Sequence, residues 1–361
     1  MSDYRAQALA ALLAQTGWDK AKRVPLAGDA STRAYERLAL GGRTAILMDA
    51  PLKEDPPCPP DATPEQRKAL GWNARTRLAA SRVEAFAAVG AYLTSLGLTA
   101  PAVFGLDAAA GYAVLEDLGQ DLFALAIPQG ASETALYARA GEVLAAAQAV
   151  APPAALEGPG GAWPLLGFDA LALETYMEVV REWLPQAADV RFSASDAETF
   201  KAATDQLIAE AMRYQRVLTI RDYHAENLLW LPQRPGLKAV GLLDYQDAVL
   251  GFRGWDLSML LHDARRDVSP AAAQAALQAY LASSGADPTE IAREIAVLGA
   301  LNILRILGVF ARLVRRDGKP RYGGFMPRMW GHLAVVLRHP DLADLSDFMH
   351  RVSGREMESV R

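Results

Sequence analysis

Three oxygen-bearing side chains in one short stretch have the chemistry to hold a metal ion and a phosphate chain. Asp222 and Asn227 follow a short apolar run, and Asp244 ends a second apolar run further along. The intervening residues 232–236 (PQRPG) supply the Pro and Gly that a chain reversal needs. We therefore expect a β-hairpin that brings the three side chains to one point. Carboxylate and amide oxygens are hard ligands that suit Mg²⁺.

A purely local interpretation is the alternative, because a lone Asp often caps a turn or ends a strand. The occurrence of Asp222, Asn227 and Asp244 together, at these spacings, favours a site that does chemistry. The surrounding sequence must then supply the elements that position these three groups.

The order Arg221-Asp222, four residues, Asn227, strand and Asp244 resembles the catalytic loop and metal-binding aspartate of protein kinases. The match is closer to the aminoglycoside phosphotransferase and choline kinase branch, in which a His often lies two residues after the first Asp, as His224 does here. The resemblance implies that Asp222 accepts the proton of the attacking hydroxyl and that Asn227 and Asp244 bind Mg²⁺. It makes His224 a candidate contact to the γ-phosphate, with a structural role as the alternative.

The composition is typical of a cytoplasmic protein. With 361 residues and 51% hydrophobic content, one large or two medium domains can each bury a core. A net charge of −5 argues against general nucleic-acid binding, and the single Cys58 excludes an internal disulfide. Residues 1–18 predict an amphipathic helix without the features of a signal peptide, and no apolar run reaches the roughly 20 residues that span a bilayer. We expect no membrane association, and a monomer or weak oligomer.

Residues 23–50 predict three β-strands, with a loop of small polar residues between the first two. Such a loop can lie over a triphosphate and donate backbone N–H groups to it, although many loops of this kind are only turns. Its position upstream of the catalytic stretch is where the kinase resemblance requires a phosphate-covering loop. The nucleotide contacts predicted there are Gly28, Asp29, Ser31, Thr32 and Arg33.

One position departs from the kinase pattern. Met48 stands where kinases place the lysine that pairs with the ATP phosphates, and Asp49 beside it has the wrong charge. Either Arg33 or Arg37 supplies the positive charge, or nucleotide binding relies more on metal and backbone groups; the sequence leaves these alternatives open. The segment GDASTRAYERL followed by ILMDAP resembles the anomeric kinases of cell-wall amino sugars (N-acetylmuramate/N-acetylglucosamine kinases). In that subgroup the lysine is also replaced, in a similar MDAP segment.

Two segments between this region and the catalytic stretch have weaker signals. Residues 51–71 are rich in proline and charge and predict a long surface loop, with a lid that orders on binding as the alternative. Residues 76–96 predict a helix. Glu84 on this helix matches the place of the kinase helix glutamate, but the absence of its lysine partner counts against a functional role.

A lobe boundary is expected near residue 116. Residues 101–104 and 112–115 predict strands, whereas helical patterns dominate the sequence beyond. The resemblance makes residues 116–120 a hinge, with backbone groups at Glu116, Asp117 and Leu118 bonding the adenine and the Asp117 side chain reaching the ribose; solvated linker charges are the alternative. The predicted division is residues 1–115, a nucleotide-binding lobe, the hinge 116–120, and residues 121–361, a catalytic and acceptor-binding lobe.

Helices are predicted at residues 132–150, 173–183 and 197–215 from alanine-rich, amphipathic patterns. Asp256 opens a further helix, and its carboxylate is expected to bond backbone N–H groups of the catalytic loop, as a support and without a catalytic role. Residues 262–267 are expected to continue this helix. Arg265 and Arg266 there are candidate contacts to the acceptor, with a solvated or ion-paired helix end as the alternative.

The charge of the C-terminal region bears on the acceptor. Residues 301–339 contain eight Arg or Lys and one acid, Asp317. A cationic surface repels a polycationic aminoglycoside or a choline-type substrate and suits a carboxylated or neutral sugar better. The excess of positive charge therefore disfavours an antibiotic-resistance kinase.

Together these features predict an α+β, two-lobe protein-kinase-like fold with an N-terminal antiparallel sheet and a mainly helical C-terminal lobe. The expected function is an ATP- and Mg²⁺-dependent phosphotransferase that phosphorylates a sugar hydroxyl. The resemblance implies the anomeric hydroxyl of N-acetylmuramate or N-acetylglucosamine, in cell-wall recycling. The alternatives are a kinase of another small hydroxyl compound (aminoglycoside, choline or homoserine type) and a non-catalytic pseudokinase scaffold, against which the complete set of Asp222, Asn227 and Asp244 argues.

Overall fold

A computed structural model describes most of the chain in two compact units. The described residues are 2–26, 33–52, 58–70, 82–186 and 190–355. Unit 1 comprises Met1–Ala131, Pro152–Leu166 and Ala225–Val249, and unit 2 comprises Ser132–Ala151, Gly167–His224 and Leu250–Arg361. Each unit is therefore built from segments that are distant in sequence.

Within the described part of unit 1, five strands form an antiparallel sheet. They are β1 (Lys22–Pro25), β2 (Ala34–Leu40), β3 (Arg43–Asp49), β4 (Val103–Asp107) and β5 (Tyr112–Glu116), in the order β1-β2-β3-β5-β4. Gly41 and Gly42, at φ 57° and 79°, form the tight turn between β2 and β3. A two-residue hairpin turn of type I′ needs positive φ at both positions, which glycine adopts without steric cost. The three strands predicted within residues 23–50 are confirmed.

One face of this sheet is filled by helix α1 (Ser2–Gln15). Leu12 and Leu13 of the helix pack with Leu38, Leu47 and Val114 of the sheet in one buried cluster. Because side chains alternate along a strand, Tyr35, Arg37 and Met48 belong to the opposite face. That second face is where polar ligand-binding groups of unit 1 can lie.

Unit 1 also contains the predicted hairpin and several short elements. Strand β9 (Leu228–Trp230) pairs with β10 (Val240–Leu242), as the sequence predicts. The other elements of the unit are α2 (Pro64–Ala69), α3 (Val83–Ser95), α4 (Phe123–Ala126), β6 (Ala155–Leu156), β7 (Trp163–Pro164) and a 3₁₀ turn (Gly236–Ala239). Helix α2 begins with a capping box formed by Thr63 and Gln66, so the region expected to be one long loop contains a short helix.

Unit 2 is mainly helical. Its helices are α5 (Glu133–Gln148), α6 (Ala170–Trp183), α7 (Ala194–Ala211), α8 (Arg253–Leu261), α9 (Pro270–Ser284), α10 (Pro288–Arg315), α11 (Met326–Val336) and α12 (Ala343–Ser353). Strands β8 (Arg216–Thr219) and β11 (Val249–Phe252) form a two-stranded sheet, and 3₁₀ turns occur at Leu184–Gln186, Pro320–Phe325 and Pro340–Leu342. The three helices predicted between residues 132 and 215 are confirmed.

Helix α10 is the long central helix of unit 2. Its start is capped by the Asp287 carboxylate, which accepts the N–H groups of Thr289 and Glu290, with Pro288 at the first helical position. By length and composition α10 could cross a membrane, which the sequence interpretation did not anticipate. However, 72% of its most apolar 18-residue segment is buried inside the protein. The buried contacts are those of a core helix.

The expected continuation of helix α8 through residues 262–267 is wrong. The helix ends at Leu261, and residues 263–269 are neither helix nor strand. The Asp263 side chain accepts the backbone N–H of Arg265 at 2.8 Å. This local bond offers the backbone an alternative to helical pairing, which is the usual reason that Asp ends a helix.

The predicted hinge, residues 116–120, lies inside unit 1, which continues to Ala131 before the chain enters unit 2. The chain also returns to unit 1 twice after this point, at residues 152–166 and 225–249. The division into lobes at residues 116–120 therefore stays a prediction.

Helices α5 and α9 approach closely at Gly141, and this contact gives a test of the packing. A Cβ added at Gly141 would lie 2.1 Å from the backbone oxygen of Ala276. We expect Gly141→Ala to lower the free energy of unfolding by about 1 to 3 kcal/mol, because overpacking outweighs the gain in helix propensity. The measurement is urea unfolding monitored by circular dichroism.

The matched control is Gly331→Ala in helix α11, where an added Cβ meets nothing within 4 Å. That substitution should leave stability unchanged or raise it by up to about 1 kcal/mol. Equal effects of the two substitutions would contradict the close approach of α5 and α9.

Candidate active site

A buried carboxylate bonds to the backbone of the loop that carries Asp222. Asp256 lies in the first turn of α8 and is 0% exposed. Its two oxygens accept the backbone N–H groups of Ile220, at 2.7 Å, and Arg221, at 2.8 Å. This is the geometry that a support of the loop requires, and the absence of a catalytic role for Asp256 stays a prediction.

The backbone beside Asp222 has an unusual conformation. Arg221 has φ 78°, in the left-handed region that costs a residue with a side chain roughly 1–2 kcal/mol. The bond to Asp256 and a 2.6 Å bond from the Arg221 guanidinium to the Tyr176 hydroxyl hold it there. On the other side, the buried Tyr223 donates its hydroxyl to the carbonyl of Ala140 at 2.8 Å. Asp222 is thus fixed between two anchored neighbours.

Asp222 lines a cavity of about 140 Å³ in unit 2, which we call the Asp222 cavity. Its polar lining residues include His224, Asp263, Arg265 and Arg305. Its apolar lining comes mainly from α10 and includes Ile306, Val309 and Phe310, with Met259 from α8. Two carboxylates, two guanidinium groups and an apolar wall therefore share one concave site, as in ligand pockets generally.

His224 and Arg265 are coupled by a hydrogen bond. The Arg265 guanidinium lies 2.9 Å from the Nε2 atom of His224. Since a guanidinium can only donate, Nε2 is the acceptor of this bond. His224 therefore positions Arg265, which is the structural alternative that the sequence left open; its predicted contact with the γ-phosphate stays a prediction.

The two candidate acceptor contacts differ in their surroundings. Arg265 lines the Asp222 cavity. Arg266 forms an ion pair with Glu133 at 2.6 Å and lies over the Tyr137 ring at 5.7 Å. In the turn that follows Leu261, these two neighbouring side chains therefore contact different groups.

The predicted metal ligands lie at the open end of the hairpin in unit 1. The N–H of Leu243 donates to the carbonyl of Asn227 at 2.9 Å, so Asn227 and Asp244 are at neighbouring positions of the β9–β10 pair. Asp244 has φ 56°, and its Oδ1 accepts from Gln246 at 2.9 Å and from Arg33. These contacts fix the Asp244 carboxylate, and the strand pairing places Asn227 at the neighbouring position, as binding of one metal ion by both residues would require.

The donor set fits Mg²⁺ in the way that phosphate-transferring sites do. The described residues contain no cluster of three or more His, Cys, Asp or Glu side chains able to hold a metal ion alone. Mg²⁺ usually takes one or two carboxylates and completes its shell with phosphate oxygens and water. Asn227 and Asp244 satisfy that requirement, and their role as ligands stays a prediction.

Asp244 is followed by a buried aromatic anchor. The Tyr245 ring is fully buried and stacks on Phe86 of α3 with ring centroids 4.7 Å apart. Gly90 of the same helix allows this approach, because a Cβ there would lie 2.6 Å from the Tyr245 hydroxyl. The position of Asp244 thus depends on packing against α3.

The region of the absent lysine has two arginines with different partners. Met48 is 1% exposed and packs in the sheet opposite Tyr35 and Ala113. Arg33 pairs with Asp244, whereas Arg37 forms a two-pronged ion pair with Asp117 at 2.7 and 3.1 Å. Of the two alternatives from the sequence, Arg33 is therefore the one beside the predicted metal ligands.

A second cavity, of about 530 Å³, lies in unit 1 beside the predicted hinge, and we call it the Asp117 cavity. Its lining includes Arg37, Thr44, Asp117, Gly119, Gln120 and Asp121. The Asp117 carboxylate also accepts the N–H of Gly119 at 3.0 Å, so its oxygens already have partners. This cavity can hold part of a nucleotide, but the side chain of Asp117 first fixes the segment itself.

The other predicted adenine contacts are partly engaged. The N–H of Glu116 donates to the carbonyl of Ala102 at 2.8 Å, and the Glu116 carboxylate pairs with Arg234 at 2.5 Å. The Leu118 side chain packs in a cluster with Leu229 and Leu231. Backbone contacts from this segment to adenine stay a prediction.

Several predicted residues lie outside the described part of the chain. These are Gly28, Asp29, Ser31 and Thr32 of the phosphate-covering loop, and residues 71–81, which include the start of the predicted helix at 76–96. The described part of that helix is α3, where Glu84 forms an ion pair with Arg82. Arg82 stands in for the missing lysine as its partner.

Sequence reasoning counted Arg305 among eight basic residues and did not single it out. Of that set, Arg305 lines the Asp222 cavity, whereas Arg316 and Arg328 pair with Asp317 and Asp267 outside it. One signal was available in the sequence, because Arg305 is the single charged residue within residues 295–311, a stretch that is apolar except for Asn302. Its neighbour Tyr176 carried no signal, because an aromatic on a helix is usually core.

Structural comparison defines the fold class. The chain resembles a choline/ethanolamine kinase family protein from Mesorhizobium loti, with a TM-score of 0.55 at 17% identity over 98% of this chain and 99% of that one. It also resembles an ADP-bound aminoglycoside phosphotransferase, with a TM-score of 0.52 at 10% identity over 93% and 99%. The predicted α+β, protein-kinase-like fold is confirmed.

Sequence comparison then gives the family. The model of the phosphotransferase enzyme family matches residues 22–309, and the chain belongs to that family. It is 50% identical over 353 residues to an N-acetylmuramate/N-acetylglucosamine kinase of Caulobacter vibrioides, covering 97% of both chains. A protein of the same name from Pseudomonas aeruginosa is 28% identical over 350 residues, covering 94% of this chain and 91% of that one. The resemblance predicted from the catalytic stretch is confirmed, and the chain is a phosphotransferase.

The buried Asp256 makes a prediction about pH. Burial raises the pKa of Asp256 to about 7, although the N–H groups of Ile220 and Arg221 act in the opposite direction. The unfolded chain releases this proton near pH 3.9. The stability that Asp256 contributes is therefore fully present below that pH and is lost as pH rises toward 7. Urea unfolding should show wild type gaining about 2 kcal/mol relative to Asp256→Asn between pH 7 and pH 5.

Asp267→Asn provides a control, because the pKa of Asp267 is shifted in the opposite direction from that of Asp256. The hydrogen bond from Arg328 lowers the pKa of the exposed Asp267, so its contribution is present at neutral pH and is lost only in acid. That variant should follow wild type between pH 7 and pH 5. A pH-independent difference between wild type and Asp256→Asn would show that the carboxylate is already ionised.

Proposed function

We propose that this phosphotransferase moves the γ-phosphoryl group of ATP to the anomeric hydroxyl of an N-acetylated amino sugar, N-acetylmuramate or N-acetylglucosamine. The observation that carries the proposal is the Asp222 cavity, where the predicted base shares a concave site with guanidinium groups and an apolar wall. The relative from Caulobacter vibrioides, 50% identical along nearly the whole chain, is named for these two sugars. The product would be a sugar 1-phosphate for cell-wall recycling in the cytoplasm.

In the proposed reaction, the hydroxyl oxygen of the sugar bonds to the γ-phosphorus. The bond from that phosphorus to the β,γ-bridging oxygen breaks, and ADP leaves with the electron pair. Asp222 orients the hydroxyl and takes its proton. The anchored backbone of Arg221 and Tyr223 keeps the carboxylate in place without reorganisation during the reaction.

The residues of unit 1 serve the nucleotide in this proposal. Asn227 and Asp244 would hold Mg²⁺, which supplies charge neutralisation for the phosphate oxygens when bound. Arg33 takes the place of the absent lysine, because it already lies against the carboxylate of Asp244 with its side chain 8% exposed. Contacts from the segment at Asp117 and Leu118 would position the adenine.

The charge of the C-terminal region also disfavours the other small-molecule acceptors. Aminoglycosides and choline are cations, and residues 301–339 contain eight Arg or Lys and one acid, Asp317. Coulomb repulsion from this excess of positive charge would lower the affinity for a cationic acceptor. Within the Asp222 cavity itself, Asp222 and Asp263 balance Arg265 and Arg305, so the preference there depends on where each charge lies.

The first test is ADP release, coupled to a spectroscopic readout, with Mg²⁺-ATP and a panel of acceptors. The panel is N-acetylmuramate, N-acetylglucosamine, glucose, kanamycin, choline and homoserine. We expect turnover on the two N-acetylated sugars, and a fall in kcat of about 10²- to 10⁴-fold in Asp222→Asn, because the amide cannot accept the proton.

Asp263→Asn is the matched control, since this residue lines the same cavity and is not assigned the role of base. It should not show the fall in kcat that is expected of Asp222→Asn. Activity confined to kanamycin or choline would overturn the amino-sugar assignment. Absence of turnover on every acceptor, with nucleotide binding that is unchanged by chelation of Mg²⁺, would favour a non-catalytic scaffold.

The two arginines of the nucleotide side can be separated by binding measurements. Arg33→Gln should weaken ATP binding in the presence of Mg²⁺ by about 10- to 100-fold and leave AMP binding nearly unchanged, because Arg33 serves the outer phosphates. Arg37→Gln should weaken both nucleotides alike, because it releases Asp117 at the hinge. Isothermal titration calorimetry without acceptor measures these affinities; a loss of ATP selectivity in Arg37→Gln alone would reverse the assignment.

A further inference from the structure

Arg305 is a charged residue inside α10, the long and largely buried helix of unit 2. It follows Leu304 and precedes Ile306 in α10, both of which are buried. Its side chain lines the Asp222 cavity together with the predicted base. Placing a guanidinium in such surroundings costs free energy unless an opposite charge compensates it.

The guanidinium of Arg305 is held in one orientation. Its Nε donates to the Asn302 side-chain oxygen at 2.9 Å, and Asn302 is itself bonded to the sulfur of Met259. The guanidinium lies 5.1 Å from the Tyr176 ring and 5.6 Å from the Trp255 ring. These contacts pre-organise the group and leave its positive charge in place, because neither an amide nor an aromatic ring neutralises it.

Arg305 differs in its partners from Arg253 and Arg266, two other partly buried arginines of unit 2. Arg253 pairs with Glu294, and Arg266 pairs with Glu133. Within the part of the chain that the structure describes, Arg305 forms no ion pair. The carboxylate whose charge acts on it most is that of Asp222, across the cavity lining. A cation fixed in a cavity without an ion pair is suited to an anionic group of a ligand.

We propose that Arg305 binds a carboxylate of the acceptor and thereby sets the preference between the two amino sugars. This inference rests on the proposed function. N-acetylmuramate carries a carboxylate on its lactyl group, and N-acetylglucosamine has a hydroxyl at the same carbon. A planar guanidinium donates two parallel hydrogen bonds to a carboxylate, which an ammonium or an amide cannot reproduce.

Arg265 is the less suitable of the two cavity arginines for this role. It is engaged by the Nε2 of His224, and its backbone N–H is tied to Asp263 in the turn after α8. Arg305 is attached instead to a long, capped helix and is supported by aromatic rings on α6 and α8. Its position is therefore set by the core of unit 2, as a specificity-determining group requires.

The experiment compares three acceptors with wild type, Arg305→Gln and Arg305→Lys: N-acetylmuramate, its methyl ester and N-acetylglucosamine. The methyl ester keeps the lactyl group and removes its charge. Wild type should show a KM about 10- to 100-fold lower for the acid than for the ester. Arg305→Gln should raise KM for the acid by a similar factor, with kcat little changed, and leave the other two acceptors nearly unaffected. Arg305→Lys should restore part of the affinity for the acid.

Arg316→Gln is the control for the change in net charge, because Arg316 lies on the surface at the end of the same helix and pairs with Asp317. It should leave all three KM values unchanged. Wild-type turnover of acid and ester with equal KM would overturn this inference and leave the proposed function standing. A loss of kcat in Arg305→Gln that is equal for all three acceptors would also overturn it, since Arg305 would then act on the phosphoryl group or on Asp222. Absence of wild-type turnover on all three sugars would overturn the proposed function itself.

Discussion

The local structure around the candidate base depends on one buried carboxylate. Asp256 accepts two successive backbone N–H groups, and this holds Arg221 in a left-handed conformation that its side chain disfavours. A strained backbone persists only where its surroundings over-determine it. Here the Tyr176 hydroxyl, the buried Tyr223 and the start of α8 all contribute, so the direction of Asp222 is set by the core of unit 2 and not by the loop alone.

Electrostatics organise each unit in a different way. In unit 1 the charged groups near the predicted nucleotide are paired: Arg33 with Asp244, Arg37 with Asp117 and Arg234 with Glu116. These pairs keep charged side chains fixed before any ligand is present. In unit 2 the two arginines of the Asp222 cavity each bond to the side chain of another residue, Arg265 to His224 and Arg305 to Asn302. We assign phosphate and metal to the paired charges of unit 1 and the sugar to the Asp222 cavity as a proposal.

The position of the absent lysine shows how the same chemical need can be met from a neighbouring strand. Met48 is part of the packed sheet, so a charged side chain at this position would have to displace core contacts. Arg33 precedes β2, which pairs with the strand that carries Met48, and it extends to Asp244. In kinases the helix glutamate pairs with the lysine that is absent here. Glu84 pairs instead with Arg82 at the start of its own helix. The replacement of the kinase lysine by Met48 is therefore accompanied by two nearby ion pairs, Arg33 with Asp244 and Arg82 with Glu84.

The sequence by itself determined the elements and the catalytic stretch. The hairpin at residues 228–242, the strands of unit 1 and the helices between residues 132 and 215 follow from local turn chemistry and periodicity, which act over a few residues. The order of Asp222, Asn227 and Asp244 gave the family for the same reason, because a motif is local. The end of α8 was misjudged, since the Asp263 side chain competes with helical bonding and composition does not show which bond forms.

Only the tertiary structure decided which charges meet. The charge count of residues 301–339 treated Arg305 and Arg316 alike, although one lines the Asp222 cavity and the other lies on the surface. The choice between Arg33 and Arg37 was equally open, because each partner is a residue far away in sequence, Asp244 or Asp117. Ion pairs and cavity walls depend on distances between remote segments, and those distances are fixed by packing and not by any local pattern.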